Sequence, residues 1–395
     1  MRIVIIGCGV VGAAIAYELS QTPQYSITVL EKTIPAQGAT GAALGIAMGV
    51  ISHKVKGRNW RLREASLKRY AALLPELAAV TGQPVPHNAQ GILSLCFEAA
   101  DLPRWQSLQA IRQEQGWPLE IWPPAQVATA CPHLRLDTMV AGIYSPQDLQ
   151  IAPKALTEAL IAGAQQRGVT LQVASPVVGF EQQGDRLEAV QTESARYEAD
   201  WVIVTAGLGS ADLTQQLQDL GEPLPLVPVL GQGIRVRSPQ SLGLATFQPV
   251  INGDDVHLVP LGEREYGVAA TVEFPEDGSV MPLPQEAALA TLWQQALAYC
   301  PPLRGCEILE TWYGLRPRPQ GQAAPVIKLL AAGSNVILAT GHYRNGVLLA
   351  PATAQAVVDL LAAESSRDKG QSSTASTTAD PAKGRSRSGH RPLQN

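Results

Sequence analysis

The sequence predicts an α/β protein of two interleaved domains, one built on parallel strands and helices, the other α+β on an antiparallel sheet. Three observations predict it. An apolar strand at the N-terminus runs directly into a glycine-rich turn and a helix. Residues 216–310 alternate apolar and polar positions, the period of a half-buried antiparallel sheet. A second glycine-bracketed turn, Gly341 to Gly346, opens an apolar run from Val347 to Leu361 with helical spacing.

Ile3-Val4-Ile5-Ile6 is apolar and β-branched, as expected of a central parallel strand. Gly7-Cys8-Gly9-Val10-Val11-Gly12 follows, then a helix over Ala13 to Leu19, then a strand from Ser26 to Leu30 that ends in Glu31. This is the Rossmann-like order of strand, glycine turn, helix, strand and acid. Gly7 makes the turn, Gly9 lets a pyrophosphate approach the backbone, and Gly12 lets helix pack on strand. Glu31 can accept hydrogen bonds from a ribose diol, with Lys32 beside it. The motif implies a dinucleotide and does not separate FAD from NAD. Gln37 to Gly49 is small, polar and glycine-rich, and by its composition reads as a surface loop.

A helix is expected over 61–80, with Leu62, Leu67, Leu73, Leu74 and Leu77 on its apolar face. Ile92 to Leu95 reads as a short strand and Leu102 to Gln115 as a helix. The chain returns to the nucleotide domain near 145, with a helix over 154–167 and strands at 169–173, 199–207 and 335–339. The boundaries that follow are 1–85, 145–215 and 311–365 for the nucleotide domain, and 86–144 and 216–310 for the second. Residues 366–395 are rich in Ser, Thr, Ala, Gly and Pro and carry more Lys and Arg than Asp. They read as a disordered basic tail, either solvated or touching an acidic partner.

The chain has 395 residues, 46% of them hydrophobic, enough for two cores. Its formal charge of −4 offers no global basic field for nucleic acid. Five cysteines in no pairing pattern read as reduced thiols, and no Cys/His cluster supports a metal. No signal peptide or membrane span is expected, so the reading is cytoplasmic. A homo-oligomer is compatible with the sequence.

The richest stretch is C-terminal. It holds Trp312-Tyr313-Gly314-Leu315-Arg316-Pro317 and then Gly341-His342-Tyr343-Arg344-Asn345-Gly346-Val347-Leu348-Leu349-Ala350-Pro351. Two arginines in mostly uncharged surroundings offer paired donors that fit a carboxylate. The turn presents backbone N–H groups and a positive helix end to an electron-rich ligand. These strings resemble the flavin and substrate motifs of the FAD-dependent D-amino-acid oxidase family. They are most similar to its glycine oxidase branch, which serves thiamin biosynthesis, and the resemblance covers roughly residues 1–365. It implies FAD as cofactor and a small amino acid and oxygen as partners. The flavin contacts it implies are Gly7, Gly9, Val10, Val11, Gly12, Glu31, Lys32, Thr40, Gly41 and Gly45. Further along, it implies Val177 and Val178 at the adenine half, Ala206 and Gly207 at a second pyrophosphate-side turn, and Gly341 to Val347 at the ring.

In such an enzyme a neutral amine delivers hydride from its α-carbon, so the protein mainly binds and orients. Arg316 and Arg344 match the family's carboxylate-side arginines. His257 stands where the family usually carries a tyrosine, and Leu261 where it carries an arginine. A substrate-facing His257 would change charge near neutral pH; otherwise it is a sheet histidine remote from the ligand. His342 is expected to shape the flavin turn. The activity implied is oxidation of glycine to glyoxylate with ammonia and hydrogen peroxide. A D-amino-acid or N-methyl-amino-acid dehydrogenase that passes electrons to a quinone, or a flavin-binding scaffold without turnover, are the alternatives.

Overall fold

The computed structural model describes residues 1–275 and 281–375. One sheet holds six strands in the order Val326–Leu329, Val336–Thr340, Trp201–Val204, Arg2–Ile6, Ser26–Leu30 and Thr170–Gln172. Neighbours run parallel except at Val326–Leu329. The run Ile3–Ile6 lies at its centre because both faces are covered. Ile3 and Ile5 pack into a core with Ala13, Ile15, Leu73 and Ala354. Val4 and Ile6 pack on the other side with Leu187, Val190 and Leu213. Leu187 and Val190 belong to a three-stranded sheet over Val177–Gln183, Arg186–Thr192 and Arg196–Glu198, which the periodicity alone does not announce.

The second sheet has eight strands, ordered Glu307–Pro319, Leu226–Arg237, Glu265–Ala269, Val256–Gly262, Val250–Gly253, Ile92–Cys96, Ala141–Ser145 and Glu120–Trp122. It departs from the expected antiparallel pattern at one junction. Val250–Gly253 runs parallel to Ile92–Cys96, two segments far apart in the chain. Residues 216–310 also hold a helix, Glu286–Tyr299, that the period-two reading passes over. Leu292, Ala296 and Leu297 follow helical spacing and pack into the core of the eight-stranded sheet. The strand Glu307–Pro319 pairs along its length with Leu226–Arg237, so residues 311–319 belong to this sheet and not to the nucleotide-side one.

The last helix runs Gly346–Ala375, ten residues past the point where order is expected to end. The rest of the expected tail, 376–395, lies outside the described residues. Within this helix Gly346–Ser365 is long and apolar enough to cross a membrane. Here it packs against Val10–Leu19 and Gly57–Thr81, with Ala350, Ala354, Val357 and Leu361 in the core.

Candidate active site

A single cavity of ≈ 2090 Å³ runs between the two large sheets. Its nucleotide end is made of backbone. Gly7 has φ +105°, and a Cβ there would meet the Thr205 carbonyl oxygen at 2.9 Å. The Thr205 hydroxyl contacts the carbonyl oxygens of Ile6 and Gly7 at 2.9 and 2.8 Å and so ties two strand ends together. Glu31 accepts from the Cys8 N–H at 2.7 Å and from the Thr33 N–H at 3.1 Å, which fixes the turn against the second strand. The Thr40 hydroxyl accepts from the Val10 N–H at 3.1 Å, at the start of the helix Val10–Leu19. A helix start leaves further N–H groups without partners inside the helix, a setting for phosphate oxygens.

Gly9, Val10, Val11, Lys32, Gly41, Gly45, Val177, Ala206 and Gly207 also line this end. Two expected contacts do not. Gly12 lies behind the turn, where a Cβ would sit 2.0 Å from the Gly7 carbonyl oxygen, so it serves helix packing. Val178 is 50% exposed and lies in a bulge, where the register shifts between Val177 and Gly179.

The segment Gly49–Ser52 borders the middle of the cavity and is held from both directions. The buried Asp148 carboxylate accepts from the N–H groups of Gly49, Val50 and Ile51 at 2.7 to 2.8 Å. The buried Arg112 guanidinium donates to the carbonyl oxygens of Val50 and Ser52 at 2.7 Å. Burial raises the Asp148 pKa against the pull of those three N–H groups.

At the far end, Gly341, His342, Tyr343, Arg344, Asn345, Gly346 and Val347 line the cavity at the start of the last helix. Gly341 and Tyr343 take positive φ to make the turn. His342 is enclosed, shares a hydrogen bond of 2.8 Å with the Thr353 hydroxyl, and is pushed down to about 3 by burial, then by Arg58. It is neutral and structural.

Arg316 reaches this end from Glu307–Pro319. It donates to the carbonyl oxygens of Leu230 and Thr271 at 3.0 and 3.2 Å. Its guanidinium lies against Gly231, where a Cβ would be 2.0 Å from Nη2, so only glycine allows the approach. Burial lowers the Arg316 pKa, and Arg344 lowers it further. Among the described residues, no carboxylate lies within ion-pair distance of Arg316 or Arg344. Two cations face one cavity with no carboxylate in an ion pair with either among the described residues, and Glu273 acts on Arg316 only from beyond that distance.

His257 lines the same cavity, and its charge is the point where the structure corrects the sequence reading. Burial, then Arg344, pushes it down to about 4, so it is neutral at physiological pH and has no charge change there. Its Nδ1 has no protein partner among the described residues. Arg63, Ser94 and Asn252 also line the cavity and escape the sequence reading. Arg63 donates to the Asn345 side chain at 3.4 Å. Its signal was available: with Trp60, Leu67, Tyr70 and Leu74 it falls on the buried stripe of its helix.

The turn without side chains at Gly7 and Gly9, the acid at Glu31 and the two helix starts fit a flavin dinucleotide along one cavity. The fold and this site define a dinucleotide-binding protein, and the family match fixes the dinucleotide as FAD. Residues 2–360 match the model of the FAD dependent oxidoreductase family (DAO), and the chain belongs to that family, with FAD as its cofactor. A bifunctional protein ThiO/ThiG of Trichormus variabilis is 32% identical over 368 residues, covering 92% of this chain and 53% of that protein. The chain thus spans about half the length of that relative. A glycine oxidase of Bacillus licheniformis is 25% identical over 358 residues, covering 91% and 92% of the two chains. The crystal structure of glycine oxidase from Bacillus cereus superposes with a TM-score of 0.80 at 23% identity, covering 92% and 95%, and shares the fold.

Proposed function

We propose that this chain catalyses FAD-dependent oxidative deamination of a small amino acid, glycine first among them. Glycine, water and oxygen would give glyoxylate, ammonia and hydrogen peroxide. The observation that carries the reading is the pair Arg316 and Arg344, both lining the nucleotide cavity and both without a carboxylate partner among the described residues. The similarity to proteins named glycine oxidase and ThiO/ThiG supports it and suggests a place in thiamin biosynthesis.

Gly7, Gly9, Val10, Val11, Glu31, Lys32, Thr40, Gly41, Gly45, Val177, Ala206, Gly207 and the turn Gly341–Val347 would hold the cofactor. FAD, held there, would supply the acceptor for the hydride equivalent of the substrate α-carbon and the route of its electrons to oxygen. The protein's part is to bind and orient. Arg316 is preset by its two backbone acceptors and presents its remaining donors to the carboxylate. Arg344 adds a second charge from the helix turn. His257, neutral, can share a hydrogen bond with the substrate without adding charge.

His257 and Leu261 in place of the family's tyrosine and arginine favour a second reading. In it the substrate is a D-amino acid or N-methyl amino acid, and the electrons pass to a quinone or carrier. Peroxide release and dye reduction, measured side by side on glycine, sarcosine and a D-amino-acid panel, separate the two. Peroxide formed with glycine supports the first. Dye reduction without peroxide supports the second. Inertness of a yellow, FAD-loaded protein toward every amine would sink both.

A further inference from the structure

Among the described residues the protein hydrogen-bonds Arg316 through one nitrogen. Nη1 donates to the carbonyl oxygens of Leu230 and Thr271 at 3.0 and 3.2 Å. Nε and Nη2 make no such bond, and neither is enclosed. They are the donors left for an anion in the cavity that Arg316 lines. Where they point depends on where two backbone oxygens are held.

One residue touches both anchors. Glu273 faces Leu230 in an antiparallel bridge. Its N–H donates at 2.9 Å to the Leu230 carbonyl oxygen, the same oxygen that Arg316 uses, and its own carbonyl oxygen accepts from the Leu230 N–H at 2.8 Å. Its side chain holds the other anchor. Oε1 accepts from the Thr271 hydroxyl, and from Gln232 Nε2 at 2.9 Å. The Thr271 hydroxyl oxygen accepts in turn from the Gln232 N–H at 2.8 Å. Oε2 accepts from the Gln285 N–H at 3.2 Å, and Gln232 Nε2 also reaches the Gln285 carbonyl oxygen at 2.9 Å. The knot is thereby tied to the residue just ahead of the helix Glu286–Tyr299. Hydrogen bonds to an ionised acceptor are stronger than neutral ones, so this carboxylate is a firm centre for the segment.

The regular pairing of Glu265–Ala269 with Leu226–Arg237 ends at Gly233, so Thr271 and Glu273 lie past the ladder that would otherwise fix them. Neither lines the cavity. The Glu273 carboxylate stays beyond ion-pair distance of Arg316 and leaves Nε and Nη2 unclaimed. A closer acid would bind the guanidinium itself and compete with a ligand for it.

We propose that Glu273 is a positioning residue for the substrate carboxylate: by holding the Leu230 and Thr271 carbonyl oxygens it sets the direction in which Arg316 presents Nε and Nη2 to the cavity. The proposal rests on the reading of Arg316 as a carboxylate partner. Glu273 acts through Arg316 and touches no ligand. A small misdirection of a clamp is expensive, since a displacement of about 1 Å can cost about a hundredfold in rate.

The test uses the purified FAD-loaded protein, with glycolate titrated against the flavin absorbance and kcat/KM for glycine as a second readout. Glu273→Ala should weaken glycolate about tenfold with flavin content unchanged. Glu273→Gln keeps an acceptor oxygen for Thr271 and should weaken it by about threefold, which keeps the test available if the first variant fails to fold. A double-mutant cycle with Arg316→Ala separates positioning from a general loosening of the fold. In the Arg316→Ala background, Glu273→Ala should change glycolate binding and glycine kcat/KM by less than about twofold. Undiminished glycolate binding in Glu273→Ala, or an equal loss in both backgrounds, overturns the positioning role and leaves the carboxylate reading of Arg316 standing. Loss of flavin in step with glycolate overturns the positioning role as well. An Arg316→Ala protein that binds glycolate as tightly as the unaltered one overturns both.

Discussion

The nucleotide end of the cavity and its sheet roof are polar in opposite ways. At the nucleotide end the groups are backbone, and the side chains that touch them are satisfied within the protein. Glu31 is held by Cys8 and Thr33, Thr40 by Val10, and Thr205 by Ile6 and Gly7. In the roof the groups are side chains with capacity left over. Asn252 Oδ1 and His257 Nδ1 have no protein partner, and Arg316 and Arg344 have no carboxylate at ion-pair distance, among the described residues. The first end is a finished surface that accepts one shape. The second keeps charge and hydrogen-bonding capacity that the protein itself does not pair.

The largest effect expected is at the finished end. Gly12→Val would drive a side chain into the Gly7 carbonyl, now 2.0 Å from where a Cβ would lie, and open the turn. Overpacking of this kind costs about 1–3 kcal/mol, all of it at the pyrophosphate seat, so flavin content should fall about tenfold or more. Flavin absorbance per protein measures it. A fully yellow variant would show that the turn tolerates more than a finished surface should.

Arg316→Ala should do the reverse, keeping flavin and losing catalysis. Removing the charged partner of a buried carboxylate costs about 3 kcal/mol, or roughly a hundredfold in kcat/KM. Steady-state kinetics on the best substrate check it, and unchanged kinetics would remove Arg316 from the carboxylate's partners.

The smallest effect concerns His257. Its pKa lies below the ordinary value, at about 4, so the neutral ring is the form present above that pH. A protonated ring would favour a bound carboxylate, and that gain appears only as pH falls through about 4. The inhibition constant of glycolate should therefore stay flat between about pH 6 and about pH 8. A tightening near pH 6.5 would mean a wetter, more ordinary histidine. Stability follows the same sign. The unfolded chain binds a proton at His257 and His342 that the native state refuses, so stability is lost as pH falls from about 6.5 toward about 4 for His257 and about 3 for His342.

The two ends also differ in how far they can be read from sequence. Gly7, Gly9, Gly12 and Glu31 sit in one short segment whose spacing carries the physics of a turn, and Gly341–Val347 does the same at the other helix. Ser94, Asn252 and His257 come together only through strand register, 158 residues apart for the hydrogen-bonded pair, and no local pattern encodes that. Gly12 and Val178 lie off the cavity lining for a related reason: motif membership does not say which side of the backbone faces the cavity. The helix Glu286–Tyr299 was hidden by reading a whole region with one period, although Leu292, Ala296 and Leu297 keep helical spacing.

The proposed cofactor seat is divided between the glycine turn at Gly7 and the turn Gly341–Val347, with the roof strands in between. On a ribosome adding about 5–20 residues per second, the opening glycine turn is made on the order of tens of seconds before its other half exists. For that interval Ile3–Ile6 has no last helix to cover Ile3 and Ile5. The nascent chain must shelter an apolar strand until Gly346–Ala375 is made, and the proposed cofactor seat has both its turns only once that helix has emerged.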